Sequence, residues 1–165
     1  MQLAGLARRF AALLYEALLV VALVLIASFL LAPLVSPGRA TSAALIAPSA
    51  TGRLLSFVGL FAVLAAYFTW TWSEGRRTLP MKTWRLSLIS AGGAPLTRRR
   101  AFARYLAAWI GPLAALIAYA LLAPSGYGAL TWPVAALNWL AAFVDPDRQF
   151  LHDRIAGTRV LESPR

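Results

Sequence analysis

The chain has 165 residues, of which 60% are hydrophobic and 13% charged, and its formal net charge is +10. This composition is typical of a membrane protein and argues against an ordinary water-soluble domain. The charge does not indicate nucleic-acid binding, because the arginines lie mainly between apolar segments, where a membrane topology places them. The chain has no cysteine, which excludes disulfide and thiolate chemistry, and we predict no metal site and no cofactor.

Four apolar segments can be recognised as membrane spans, since about 20 residues cross the hydrocarbon core of a bilayer. The predicted spans are residues 10–32, 54–72, 105–123 and 130–144. The first is too long for a cleaved signal peptide and ends before Pro33, and the third is interrupted by Gly111-Pro112. The fourth is the shortest, so a re-entrant or strongly tilted segment is the alternative there.

The basic residues orient these spans. Two precede the first span, eight lie in the second loop (73–104) and four in the tail (145–165), whereas the first loop holds two. With both termini inside, fourteen basic residues are cytoplasmic and two are not, which satisfies the positive-inside rule. We therefore predict one domain over residues 1–165, an all-α four-span bundle with a cytoplasmic N- and C-terminus. Arginine and alanine dominate over lysine, which favours a bacterial source and its inner membrane.

The second loop is predicted to have structure of its own. Residues 83–89 alternate as in a strand, residues 91–93 supply a turn, and Thr97 is placed to cap a basic helix that continues to Arg104. Arg98, Arg99 and Arg100 can bind anionic lipid headgroups or a protein partner. An ordinary positive-inside anchor is the simpler interpretation of the same cluster.

The tail carries signals for a short helix and a strand. Asp145-Pro146 begins a helix over residues 148–156, and Gly157 suits its end. Residues 158–161 form a strand that can pair with residues 85–89. His152 and Asp153 are not a catalytic dyad, because neighbours on a helix point about 100° apart. With no nucleophile or ligand set in view, we predict no enzyme and no catalytic residue.

Glu16 is the only acidic residue inside a predicted span. A carboxylate at that depth costs a few kcal/mol, so it requires a partner or a function. Arg9 precedes it on the same helix face, about 10.5 Å away along the axis, and Asn138 is the other strongly polar side chain within a span. Glu16 is therefore either a packing residue that fixes the helices or a carboxylate that binds a proton or cation, with Arg9 and Asn138 as companions.

Three features together resemble the RDD family of small membrane proteins. They are Arg9 followed seven residues later by Glu16, the central Arg85-Leu86-Ser87-Leu88-Ile89 with its downstream glycine and proline, and the ending His152-Asp153-Arg154-Ile155-Ala156-Gly157-Thr158. The resemblance covers residues 6–161 and identifies Arg9, Glu16 and Asp153 with the family's arginine and two aspartates. Glu16 departs from the family's aspartate, and Thr78-Leu79-Pro80 departs from its Thr-Pro-Gly.

The resemblance implies transport, with sodium–proton exchange suggested for some members. On this interpretation Glu16 is the protonatable centre, Arg9 modulates it, and several copies, or a partner membrane protein, complete the pathway. The alternative is a module that transports nothing and docks a protein or anionic lipid through Arg98–Arg100 and the tail.

Overall fold

The computed structural model describes residues 2–35 and 49–163, and most of these are helical. Helix α1 spans Leu6–Val35 and helix α2 spans Ala50–Trp72. Among the described residues, three helices are long and apolar enough to cross a membrane: α1, α2 and the stretch Arg98–Ser125. Arg39 and Arg165, which enter the charge count above, lie outside the described residues.

Helix α1 extends beyond the predicted span at both ends. It begins at Leu6 and continues past Pro33 to Val35, although the sequence placed its end at residue 32. A proline interior to a helix removes one backbone hydrogen bond and clashes with the preceding turn. Because Pro33 stands in the last turn, that cost does not stop the helix before it.

The third apolar stretch consists of two helices, α4 (Arg98–Ala108) and α5 (Ile110–Leu122), which meet at Trp109. The predicted cap is confirmed, since the Thr97 hydroxyl accepts a hydrogen bond from the Arg100 amide at 3.4 Å. The break falls where the Gly-Pro pair interrupts the predicted span.

The break also explains Asn138. Pro112 has no N–H to donate to the carbonyl of Ala108, four residues earlier. The Nδ2 atom of Asn138 donates to that carbonyl instead, at 2.7 Å. A polar side chain from a distant segment thus satisfies a helix carbonyl that the proline leaves unpaired.

The region predicted as a fourth span is not one continuous helix. It divides into short pieces: a 3₁₀ turn at Gly128–Thr131, α6 at Trp132–Ala135, α7 at Leu137–Leu140 and a 3₁₀ turn at Ala141–Phe143. Pro133 stands in the first turn of α6, where it cannot donate a bond that would continue the preceding turn. Residues 130–144 therefore do not form a fourth long helix, and the re-entrant segment that the sequence offered as the alternative fits these short pieces.

The broken segment nevertheless runs back along α5. A Cβ atom on Gly128 would lie 2.9 Å from the Tyr119 ring, and one on Gly111 would lie 2.6 Å from the Ala135 carbonyl oxygen. Later residues of the segment thus lie beside earlier residues of α5. This return brings the tail back to the end of the molecule where α4 begins.

A small antiparallel sheet joins the second loop to the tail. Strand β1 (Leu86–Ser90) pairs with strand β2 (Thr158–Glu162), and Leu86 is opposite Glu162. The first strand begins three residues later than predicted, because residues 79–83 form the short helix α3 and Arg85 adopts a positive φ of 53°. A bridge between Leu3 and Leu161 adds the N-terminus to the sheet.

The tail helix, α8, is shorter than predicted and covers Leu151–Ile155. Asp145 does cap a turn, since its Oδ1 accepts hydrogen bonds from the amides of Asp147 and Gln149. Arg148 then adopts a positive φ of 51°, which no α-helix tolerates, so the helix begins only after it. Gly157, with φ of 61°, ends the helix as predicted.

The buried core lies at one end of the long helices. It contains Leu86, Leu88, Leu96, Ala101, Tyr105 and Val160, together with side chains from α1 and α2. Along their length, the long helices instead expose large apolar side chains such as Leu25, Phe29 and Leu55. An apolar exterior of this extent is what a lipid-facing surface requires.

Candidate functional site

A buried carboxylate, Asp153 of α8, holds together two arginines from distant parts of the chain. The Nη2 atom of Arg9 lies 2.7 Å from Asp153 Oδ2, and the Nε atom of Arg104 donates to Oδ1 at 2.8 Å. The three side chains are 0%, 1% and 6% exposed for Asp153, Arg9 and Arg104. We call these residues, together with His152, the Asp153 cluster; it joins α1, α4 and α8.

The two guanidinium groups of the cluster also stack on aromatic rings. Arg9 lies 4.3 Å from the ring centre of Phe150, and Arg104 lies 4.0 Å from that of Trp72. Arg9 additionally donates to the backbone carbonyl of Arg148. A guanidinium stacks through its flat face and donates hydrogen bonds from its edge. The two kinds of contact together fix the orientation of each arginine.

His152 is a neutral member of the cluster. Its Nε2 atom lies 3.2 Å from Arg104 Nη2, and a guanidinium can only donate, so Nε2 is the acceptor and the proton resides on Nδ1. Burial lowers the pKa of His152 to about 4; the carboxylate of Asp153 opposes this shift, and the nearby charges of Arg104 and Arg9 add to it. Nδ1 is buried and has no hydrogen-bond partner among the described residues.

Asp153 remains ionised in the cluster. Burial by itself would raise its pKa, but the positive charges of Arg104 and Arg9 and the hydrogen bond from Arg104 hold the pKa below its usual value. Two cations surround one anion, so the cluster carries a net charge of +1 when His152 is neutral.

Glu16 occupies a different environment. Its Oε1 accepts a hydrogen bond from the Tyr67 hydroxyl at 2.7 Å, and its Oε2 accepts one from the Thr78 hydroxyl at 2.5 Å. Within the described ranges no arginine, lysine or histidine lies within ion-pair distance of it. Arg9, expected as its companion, bonds Asp153 instead. Glu16 is thus a carboxylate in a membrane-length helix that only neutral donors satisfy.

A cavity of about 370 Å³ lies between Glu16 and the Asp153 cluster. Its wall is mostly apolar and includes Leu13, Leu64, Phe68, Tyr105 and Trp109. The polar residues in the wall are Arg9, Glu16, Arg104, Asn138 and His152. The sequence candidates Glu16, Arg9 and Asn138 therefore meet at one cavity, although they do not bond one another. The Oδ1 atom of Asn138 is buried and without a partner among the described residues.

The remaining candidates lie elsewhere. Arg98 is bound to Glu74 at 2.8 Å, and Arg99 and Arg100 are exposed. Thr158 lies behind Asp153, with its hydroxyl 3.3 Å from the Asp153 carbonyl oxygen. In the part of the chain that the structure describes, no three His, Asp or Glu side chains gather as a metal site.

Sequence reasoning missed Arg104, Tyr67 and Thr78. Arg104 had a signal, because it stands alone between Ala101-Phe102-Ala103 and Tyr105-Leu106 rather than in the arginine run before them. Tyr67 gives no local signal, because it lies within the second predicted span and its partner Glu16 is 51 positions away. Thr78 caps α3 by accepting from the Met81 amide at 3.3 Å, and its second role toward Glu16 depends on tertiary contact alone.

One comparison with known proteins identifies a relationship. The family model described as the RDD family matches residues 3–157 of this chain. Among curated proteins and among solved structures, none matches it. The matched range includes Arg9, Glu16 and Asp153, together with every residue that lines the cavity except Val160.

Proposed function

We propose that this chain, which belongs to the RDD family, is a small membrane transport protein that exchanges a proton for a cation at Glu16. The supporting observation is that Glu16 lies in a cavity wall with two hydroxyl donors and no described cationic partner. A half-buried carboxylate in a membrane-length helix that lacks a fixed counter-charge can take its charge balance from a mobile proton or cation.

The hydroxyls of Tyr67 and Thr78 can serve this site both when it is empty and when it holds a cation. They donate to Glu16 when its carboxylate is ionised and the site is empty. After rotation of the O–H groups, the same oxygens can act as ligands for a hard cation, which prefers oxygen. Protonation of Glu16 would remove the negative charge and release the cation.

The topology we propose is the four-pass arrangement with both termini in the cytoplasm. In this arrangement the broken segment after α5 is the fourth pass, which is supported by its return along α5 from Tyr119 to Ala108. Short helical pieces are tolerated at membrane depth where they pack against protein. The return places the Asp153 cluster and most of the basic residues at one end, which we assign to the cytoplasmic side of a bacterial inner membrane.

We also propose that more than one copy, or a partner membrane protein, forms the complete pathway, because four passes enclose little space. A small residue such as Gly59 of α2 could allow close approach of another helix, but Gly59 already faces α1. A Cβ added there would lie 2.8 Å from Leu31. The exposed faces of α1 and α2 are available for a second copy.

The test is ion flux in liposomes that contain the purified protein and a pH-sensitive dye. A sodium or potassium gradient should drive proton movement with wild type, and Glu16→Gln should reduce it to the level of protein-free liposomes. Glu162→Gln is the matched control, because Glu162 pairs with Arg8 at a partly exposed site. Glu16→Asp, which restores the family's residue, should retain flux. If Glu16→Gln transports like wild type, the proposed exchange site is wrong.

The docking module remains the second candidate. Arg99 and Arg100 are exposed and form no ion pair with a described carboxylate, whereas Arg98 is bound to Glu74. If folded wild-type protein moves no protons under either cation gradient, the transport proposal fails and docking through Arg98–Arg100 is favoured.

A further inference from the structure

A second pocket, of about 340 Å³, lies where α2 ends and shares no residue with the cavity around Glu16. Its six lining residues are Trp70, Thr71, Gly75, Arg76, Arg77 and Lys82. Three of them are cations and none is acidic. We propose that this basic pocket binds the phosphate of an anionic phospholipid headgroup.

Arg76 forms a fixed wall of the basic pocket. Its Nη1 lies 2.7 Å from Glu74, its Nη2 donates to the Ser73 hydroxyl at 2.8 Å, and its guanidinium lies 4.0 Å from the ring centre of Trp70. Glu74 also pairs with Arg98, so the charge of Arg76 is only partly balanced within the protein. We assign most of the binding charge to the two other cations.

Arg77 and Lys82 supply that charge. Arg77 donates to the Ser163 hydroxyl at 3.3 Å, a neutral partner, and Lys82 is exposed. Neither forms an ion pair with a carboxylate among the described residues. Two uncompensated cations that converge on one pocket match a phosphate, which both arginine and lysine bind through charge-assisted hydrogen bonds.

The surroundings favour a lipid over a free phosphate. Trp70 is 58% exposed at the pocket, and Leu79, on the same short helix α3 as Lys82, is 52% exposed. Trp84, which ends α3, is also exposed. Tryptophan is enriched at the level of the headgroups, so these side chains can contact acyl chains while the cations hold the phosphate.

The experiment measures phosphatidylglycerol binding to the delipidated full-length protein in neutral detergent by native mass spectrometry. The test variant is Arg77→Gln/Lys82→Gln. The control is Arg148→Gln/Arg159→Gln, which removes the same charge from exposed positions outside the pocket. Each basic residue near an anionic lipid contributes about fivefold in affinity, equivalent to about 1 kcal/mol. The test variant should therefore bind about thirtyfold more weakly, and the control like wild type.

Three comparisons make the outcome decisive. The charge-conserving variant Arg77→Lys/Lys82→Arg should restore binding, and phosphatidylcholine should bind every variant equally weakly. Excess glycerol phosphate should not displace the lipid; equal competition would overturn the lipid assignment and show a site for soluble phosphates.

Loss of binding in the control to the same extent would show a diffuse charge effect and overturn the pocket. If the double variant does not fold, Lys82→Gln alone should lose about fivefold, and unchanged binding would refute the proposal.

Discussion

Replacing Asp153 by asparagine tests whether the Asp153 cluster holds the membrane helices to the tail. The substitution keeps the size of the side chain but removes its charge, which leaves the guanidiniums of Arg9 and Arg104 buried without a counter-ion. Breaking a buried ion pair in this way costs about 3–5 kcal/mol. For a chain of this length, each kcal/mol corresponds to roughly 2–4 °C, so we expect the midpoint of thermal unfolding to fall by about 10 °C.

The assay is the fraction of purified protein that remains monodisperse by size-exclusion chromatography after heating in detergent. Asp147→Asn is the matched control, because Asp147 pairs with Arg154 at 2.9 Å and both side chains are more than one-third exposed. An exposed pair of this kind contributes less than about 1 kcal/mol. If Asp153→Asn is no less stable than Asp147→Asn, the cluster does not hold α1, α4 and α8 together.

Two further predictions use the same heating assay. Between pH 6.5 and 4 the unfolded chain binds a proton at His152 that the folded protein excludes, since the pKa is lowered to about 4 in the fold. Wild-type stability should therefore fall by up to about 1.4 kcal/mol per pH unit as the pH drops through this window. His152→Gln keeps an acceptor for the Arg104 guanidinium and should remove the slope between pH 6.5 and 5, where the carboxylates contribute little; an unchanged slope there contradicts the assignment. Gly111→Ala places a methyl group 2.6 Å from the Ala135 carbonyl oxygen and should cost about 1–3 kcal/mol. Gly92→Ala, which meets no atom within 4 Å, should cost much less, and equal losses would refute the close approach of the two segments.

The sequence predicted the elements whose signals are local. The spans follow from runs of apolar residues, and the Thr97 cap, the break at Gly111-Pro112 and the helix end at Gly157 follow from single residues with specific backbone preferences. The sequence also predicted that residues 158–161 can pair with residues 85–89, and the register, with Leu86 opposite Glu162, comes from the structure. Boundaries moved where two local signals compete, as at Arg148, whose positive φ delays the tail helix.

The site could be predicted only in part, because its contacts join residues that are distant in the chain. Arg9 and Asp153 are 144 positions apart, and Tyr67 is 51 positions from Glu16. Periodicity placed Arg9 on the same helix face as Glu16 and so suggested a pair. The fold instead gives Arg9 a closer carboxylate, and only the tertiary structure shows which one it bonds.

The buried carboxylate Asp153 and the half-buried carboxylate Glu16 differ in their counter-charges, and we expect separate roles from that difference. Asp153 is paired with two arginines, whereas Glu16 is paired with none among the described residues. Arg9, which contributes to the surplus positive charge of the Asp153 cluster, precedes Glu16 on α1 by about two helical turns along the axis. At a separation of about 10.5 Å, the axial rise between the two residues, and an effective dielectric of about 20, a charge of +1 would repel a cation at the proposed Glu16 site by about 1.6 kcal/mol. This corresponds to roughly tenfold weaker binding. An exchange site of the kind proposed must release its cation in each cycle. The surplus positive charge of the Asp153 cluster supplies a physical reason for weak cation binding at Glu16. Neutralising the charge of Arg9 should therefore change cation affinity at the proposed Glu16 site as well as stability. Arg9 both pairs with Asp153 and contributes to the positive charge near Glu16.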